Sequence, residues 1–371
     1  MKTIFSAFFI LVCISIGFSQ TQYLVIGTYD SPKSEGIYVY EFNTKDGTAK
    51  EISHVQTSNP SYIAISPDKR YLYAVNENAD KNGKGGSVSS FSFDKKAGVL
   101  TRINTQSSEG NHPCYITVDQ TGRWIITGNY SSGNFSILPV NNMGELKQAI
   151  ETVQLTGKGL DSTRQNSPHV HSTFLNKKNN VLYVADLGID KILNYSFDEK
   201  NGTVQPLLQK SISTEAGAGP RHMDISSNGK FLYLVQELSG MVTVFSTKNS
   251  VLKHQQTISS LPQNFKGKPA SADIHLSPDG NFLYVSNRGE SNSIAIFKIN
   301  KKDGRIYLLQ HQSTFGLGPR NFNFDPSGKY LLVANQNSNE VVIFERNINS
   351  GLLKDTGKRI SVGKPVCIKW M

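Results

Sequence analysis

One phrase recurs along this chain and constrains its fold more than any other feature. It consists of a proline, an apolar strand, a tight polar turn, a second apolar strand and then an amide or acid. The phrase opens at Pro60, Pro113, Pro168, Pro220, Pro269 and Pro319, and Pro365 begins a seventh copy that stops after one strand. Successive prolines stand 53, 55, 52, 49, 50 and 46 residues apart, a period in the range of stacked or radial repeats. Each unit then continues with two more strands, such as 87–94 and 100–106 in the first. Asp-Gly or Asn-Gly turns join such strands at Asp46-Gly47, Asn201-Gly202 and Asp303-Gly304. Helical periodicity is absent throughout. Four antiparallel strands repeated seven times predict an all-β, seven-bladed β-propeller.

The chain ends fit that ring. Residues 23–29 read as a second strand without a first, and 36–42 and 49–57 supply the third and fourth. The missing first strand is 366–371, so one blade is expected to be shared between the termini. Such sharing closes the ring and removes two exposed sheet edges. No linker interrupts the repeats, so residues 20–371 are expected to form one domain. Hydrophobic residues make up 37% of the chain, with 19 Phe and 15 Tyr, which is enough to fill a core and excludes a disordered chain.

The first residues stand apart. Lys2 precedes an apolar run from residue 4 to 18, and Gly17 and Ser19 sit at −3 and −1 of a cut before Gln20. Residues 1–19 therefore read as a secretory signal peptide, the run being too short and wrongly flanked for a membrane span. Cys13 does not mark a lipoprotein, because Val12 before it is not small. The mature protein is expected to be exported, periplasmic or extracellular, with no membrane span after signal removal. Cys114 and Cys367 remain, each following a proline in a different repeat, and are expected to be buried free thiols. The formal net charge of +10, or +9 once Lys2 is lost, comes largely from lysines scattered through loops. No basic stripe or nucleic-acid motif accompanies it, so nucleic acid is not an expected partner. A mild attraction for anions is.

Comparing blades within the chain separates architecture from function. The position ending the second strand reads Asn76, Asn129, Asp186, Gln236, Asn287 and Asn335, a constant polar type suited to hydrogen bonds with loop backbone. The next position reads Glu77, Tyr130, Leu187, Glu237, Arg288 and Gln336, and does not repeat. The start of the first strand reads Ser61, Cys114, His171, Arg221, Ala272 and Arg320, and does not repeat either. Antiparallel pairing brings these two columns together at one mouth of the central channel. His171, Arg221, Glu237, Arg288 and Arg320 come from four consecutive blades and are expected in one sector of a funnel. Guanidinium groups pair with carboxylate or phosphate, and a carboxylate or imidazole beside them takes a proton from water or carbon. The plainer reading is an internal Arg221–Glu237 ion pair lining a water-filled channel.

Other motifs carry less. His169 and His171 share a strand face, but no third ligand recurs at metal spacing, so no metal and no cofactor are expected. Ser66-Pro-Asp68 and Ser277-Pro-Asp279 are turn chemistry. The 83–86 glycine run lacks a Walker pattern, and no Gly-x-Ser-x-Gly elbow is present.

Four stretches carry a family resemblance: Gly217-Ala-Gly-Pro-Arg-His222, Leu234-Val-Gln-Glu237, Ala272-Asp-Ile-His275 with Asn287-Arg288, and Gly318-Pro-Arg320 through Asn337. In these the chain resembles the seven-bladed propeller lactonases, which include 6-phosphogluconolactonases and 3-carboxymuconate-lactonising enzymes. The resemblance implies a site of one His, one Glu and two Arg, falling on His171, Glu237, Arg221 and Arg288. It implies a lactonase acting on a small anionic sugar lactone, a carboxylic-ester hydrolase that needs no cofactor. Arg221 and Arg288 would hold the anion with Arg320 as helper, and Glu237 or His171 would activate water. Which of the two is the base is left open. A muconate-type cycloisomerase, and a non-enzymatic exported propeller binding glycan or protein, are the alternatives. The family's gluconolactonases act on a cytoplasmic sugar phosphate, whereas this chain carries an export pattern.

Overall fold

The computed structural model describes residues 21–371, and the signal-peptide reading of 1–19 lies outside them. Seven antiparallel sheets of four strands follow one another around a ring. The blade opening at Pro220 runs Pro220–Ile225, Phe231–Gln236, Met241–Lys248 and Val251–Ser259, from the channel outward. Its second strand is buried along its whole length, and its outermost strand is exposed or partly covered at every residue but Leu252. The first reading of the repeat therefore holds, and the blades are numbered here from Pro60 as blade 1 to Pro365 as blade 7.

Blade 7 is the shared one. Its order is Pro365–Trp370, Thr21–Thr28, Ile37–Asn43 and Ala49–Val55, with Ile26 opposite Ile368. The inner strand also ties to blade 6: Ile368 donates its N–H to Asn321 Oδ1 at 2.7 Å, and Asn323 Nδ2 donates to Ile368 O at 3.0 Å.

The core lies between blades, where second- and third-strand side chains of neighbours interdigitate. Tyr73, Tyr183, Tyr233 and Tyr284 occupy the same buried position in four blades. The outer turns lock neighbours together. Gly202 and Gly304 have φ of 69° and 74°, which only glycine adopts freely, and a Cβ there would overlap Trp124 or Phe231 of the preceding blade. Cys114 and Cys367 are both free and buried. Among the described residues no helix is long and apolar enough to cross a membrane.

Candidate active site

Local geometry explains why the two non-repeating columns face the channel. In blades 2, 3, 4 and 6 the inner strand carries a register shift that skips one residue: Cys114, His171, Arg221 and Arg320 respectively. Blade 5 skips Ala272 together with Asp273, and blade 7 skips Val366. A bulge residue is released from the ladder and re-aimed, so six of the seven blades present displaced side chains at the same height, blade 1 being the exception. The partner column is pinned by one backbone bond repeated around the ring. Glu237 N–H donates to Gly219 O at 2.7 Å, Arg288 N–H to Ala270 O at 3.1 Å and Tyr29 N–H to Lys364 O at 3.0 Å. The amide column just before it behaves as expected: Asn129 and Asn287 each donate to a loop carbonyl, Ser108 O and Ser260 O, at 2.8 Å.

Together these positions line a cavity of about 450 Å³. Its wall draws on all seven blades through Tyr29, Glu77, Cys114, Tyr130, His171, Glu237, Arg288 and Arg320, with Arg164 added from a loop. The sequence placed the site in one sector. The structure makes it a complete ring, because the blade-1, -2 and -7 members of the same columns also face inward.

Glu237 is the centre of charge. Its Oε2 meets Arg221 Nε at 2.8 Å, Arg288 Nη2 at 3.0 Å and His171 Nε2 at 3.8 Å, while Oε1 meets Arg164 Nη2 at 2.7 Å. Burial opposes ionisation of this carboxyl, but Arg288, Arg221, His171 and Arg164 outweigh it and hold it well below the usual carboxylate range. His171 is driven the other way. Burial first, then the Arg221 and His222 charges, push its imidazole well below 6.5, so it is neutral at pH 7. Burial lowers the Arg288 guanidinium to about 10, which leaves it charged.

The arginines are not equivalent. Arg221 is 1% exposed and lies behind the wall, its guanidinium committed to Glu237, Ala272 O and His222 Nε2. The expected Arg221–Glu237 ion pair is thus present, and Arg221 faces Glu237, not the cavity. Arg288 is 18% exposed and also donates to Ala270 O at 3.1 Å. Arg320 lies with its guanidinium 5.1 Å from the Tyr29 ring centroid, and makes no hydrogen bond or ion pair among the described residues. Tyr29 in turn donates to Glu77 Oε2 at 2.7 Å.

A buried polar layer forms the floor. Arg221 Nη1 donates to His222 Nε2 at 3.2 Å, which leaves Nδ1–H to donate to Asp273 Oδ1 at 2.7 Å. His275 and Asn321 occupy Asp273 Oδ2. Burial and the neighbouring Arg221 charge depress His222 to about 3, consistent with that neutral tautomer. His222 also meets Tyr62 and Tyr115 edge-on, and those two rings stack at 4.2 Å. His169 stacks on Tyr130 at 4.4 Å, while His171 points at Glu237.

The whole-chain comparison agrees with this architecture. The model of the family described as "Lactonase, 7-bladed beta-propeller" matches residues 23–370. The chain belongs to the seven-bladed β-propeller lactonases. It is 37% identical to a 6-phosphogluconolactonase of Formosa agariphila, over 91% of this chain and 96% of that one. It is 35% identical to the Bacillus subtilis 6-phosphogluconolactonase, over 95% and 99%. A solved putative 6-phosphogluconolactonase from Bacteroides fragilis superposes with a TM-score of 0.90 at 37% identity, over 95% and 98%. The periplasmic gluconolactonase of Pseudomonas aeruginosa gives 0.89 at 36%, over 94% and 99%.

Five wall residues of this lactonase-family chain fall outside the site expected from the sequence, Cys114 among them as a buried thiol. Glu77 and Tyr130 stood in the right column but outside the charged run of blades. Tyr29 opens the column in the terminal blade, whose first strand begins 336 residues further on, at Pro365. Arg164 belongs to no column. It sits in the 156–169 connection, which Gln165 pins by donating to Leu187 O and Asp190 Oδ1, both at 2.8 Å.

Proposed function

We propose that this chain hydrolyses a small anionic sugar lactone at the funnel mouth, 6-phosphogluconolactone being the substrate its relatives' names point to. The observation that carries the reading is Glu237, a buried carboxylate held ionised beside the neutral imidazole of His171 and opening onto the cavity. Four guanidinium groups surround two carboxyl groups there, a formal excess of two positive charges suited to a sugar phosphate or acid. Glu237 takes a proton from water as the water oxygen bonds to the lactone carbonyl carbon. The carbon–ring-oxygen bond then breaks, and the proton passes to the departing ring oxygen, which leaves as a hydroxyl. Arg288 stabilises the carbonyl oxyanion, and Arg320, whose guanidinium makes no hydrogen bond or ion pair among the described residues, holds the anionic substituent. Arg221 acts through Glu237 by fixing its Oε2. His171, neutral, lines the cavity beside Glu237, its Nε2 3.8 Å from the same oxygen.

Glu237→Gln tests the reading. Loss of a general base costs about a hundred- to ten-thousandfold in rate, while the amide keeps most hydrogen bonds and the fold. Lactone hydrolysis at wild-type rates in a folded Glu237→Gln protein would place the active site elsewhere. A 3-carboxymuconate substrate assayed in parallel separates hydrolysis from cycloisomerisation. We further propose that the protein works outside the cytoplasm, on the strength of the 1–19 pattern and its likeness to a periplasmic gluconolactonase.

A further inference from the structure

The two oxygens of Glu237 have different company. Oε2 is shared by Arg221, Arg288 and His171, all on the blades themselves. Oε1 has one charged partner, Arg164, at 2.7 Å. Arg164 differs from the others in origin and exposure. It comes from the 156–169 connection, its side chain is 33% exposed, and its second contact is a 3.3 Å bond to the Tyr130 hydroxyl at the cavity rim. Its neighbour Gln165 is fully buried and anchors the backbone, so the guanidinium is free to turn while its base stays put. Arg221 and Arg288 together take both lone pairs of Oε2, whereas Oε1 carries a single guanidinium, so among the described residues Oε1 is the oxygen whose basicity a side-chain rotation can raise.

We infer that Arg164 is a substrate-displaced latch: the anionic group of the lactone draws its guanidinium off Glu237 Oε1 and so frees the base. The inference rests on the lactonase reading and deepens it, because it makes negative charge on the substrate a requirement for turnover as well as for binding. An uncharged lactone enters the same cavity but leaves Arg164 on Oε1. Anion selectivity then appears in kcat, where a simple binding arginine would place it in KM.

The test uses full-length mature protein and two variants, Arg164→Ala and Arg164→Lys, assayed on 6-phosphogluconolactone and on uncharged gluconolactone. In Arg164→Ala, kcat/KM on the charged lactone should fall about ten- to a hundredfold, the loss of one charge-assisted hydrogen bond. The kcat on the uncharged lactone should rise, because Oε1 is released. The acid limb of kcat/KM should also move upward, since Glu237 loses one of the cations that depress it. Arg221, Arg288 and His171 still face it from blades 4, 5 and 3, with Arg320 further off, so the shift is partial. Arg164→Lys keeps the charge and should retain an intermediate preference for the charged lactone. Equal losses on both lactones with an unmoved acid limb would show a merely structural arginine and overturn the latch, as would an uncharged-lactone kcat that stays level or falls. Wild-type protein inactive on both lactones would instead remove the parent reading, and the latch with it.

Discussion

Deleting residues 366–371 removes the inner strand of blade 7 and reopens the ring. Val366, Ile368 and Met371 are each no more than 7% exposed. Burial of an aliphatic or Met side chain stabilises by roughly 1.5–3 kcal/mol, so the three together contribute about 5–9 kcal/mol. That is comparable with the whole stability of a typical domain, about 5–15 kcal/mol. The cut also strips the ladder from Leu24 to Gly27 and orphans Asn321 Oδ1 and Asn323 Nδ2 in blade 6. The truncated protein should therefore be largely unfolded or aggregated at 25 °C, as followed by circular dichroism and size-exclusion chromatography. A milder pair isolates closure from simple packing. Ile368→Ala and Ile116→Ala remove equivalent inner-strand residues from blades 7 and 2, which are 0% and 2% exposed. Each should cost about 2–5 kcal/mol in urea unfolding. If the truncated chain keeps its unfolding midpoint, or Ile368→Ala costs far less than Ile116→Ala, the terminal strand is a frayed end and the closure argument fails.

Two further outcomes are expected. Arg320→Ala should raise KM for an anionic lactone about tenfold or more with little change in kcat, and barely affect an uncharged one; a pure kcat loss on both would deny it the anion. N-terminal sequencing of protein recovered from the periplasm or medium should begin near Gln20, and an intact Met1 in a cytoplasmic pool would contradict export.

The ring was readable because it is repeated. Seven copies of one phrase average out local ambiguity, and the strand missing from the N-terminal unit stands at the other end of the chain, so blade number and closure both follow from counting. The same repetition exposed His171, Arg221, Glu237, Arg288 and Arg320, because a buried charge in a column that other blades fill with Leu187 or Ala272 has no architectural cause. Glu77 stood in the same column with the same carboxylate but outside the consecutive charged blades, and Tyr29 was not aligned because the first strand of its blade lies at the other end of the chain. Arg164 gives no signal at all, since it lies in a single loop with nothing to align it to.

Sequence alone thus determined the architecture, the closing blade and the height in the channel at which the candidate site residues gather, because these depend on periodicity, which is a one-dimensional property. Orientation was decided only in three dimensions. A bulge adds one residue to a strand and reverses the inward–outward alternation beyond it, so no pattern of period two foretells that His171 faces Glu237 while His169 stacks on Tyr130. Nor does it foretell that Arg221 is spent behind the wall while Arg320 faces the cavity beside the Tyr29 ring. Those assignments depend on which groups from different blades come within about 3 Å of one another, the range of a charge-assisted hydrogen bond, and only the closed ring sets those distances.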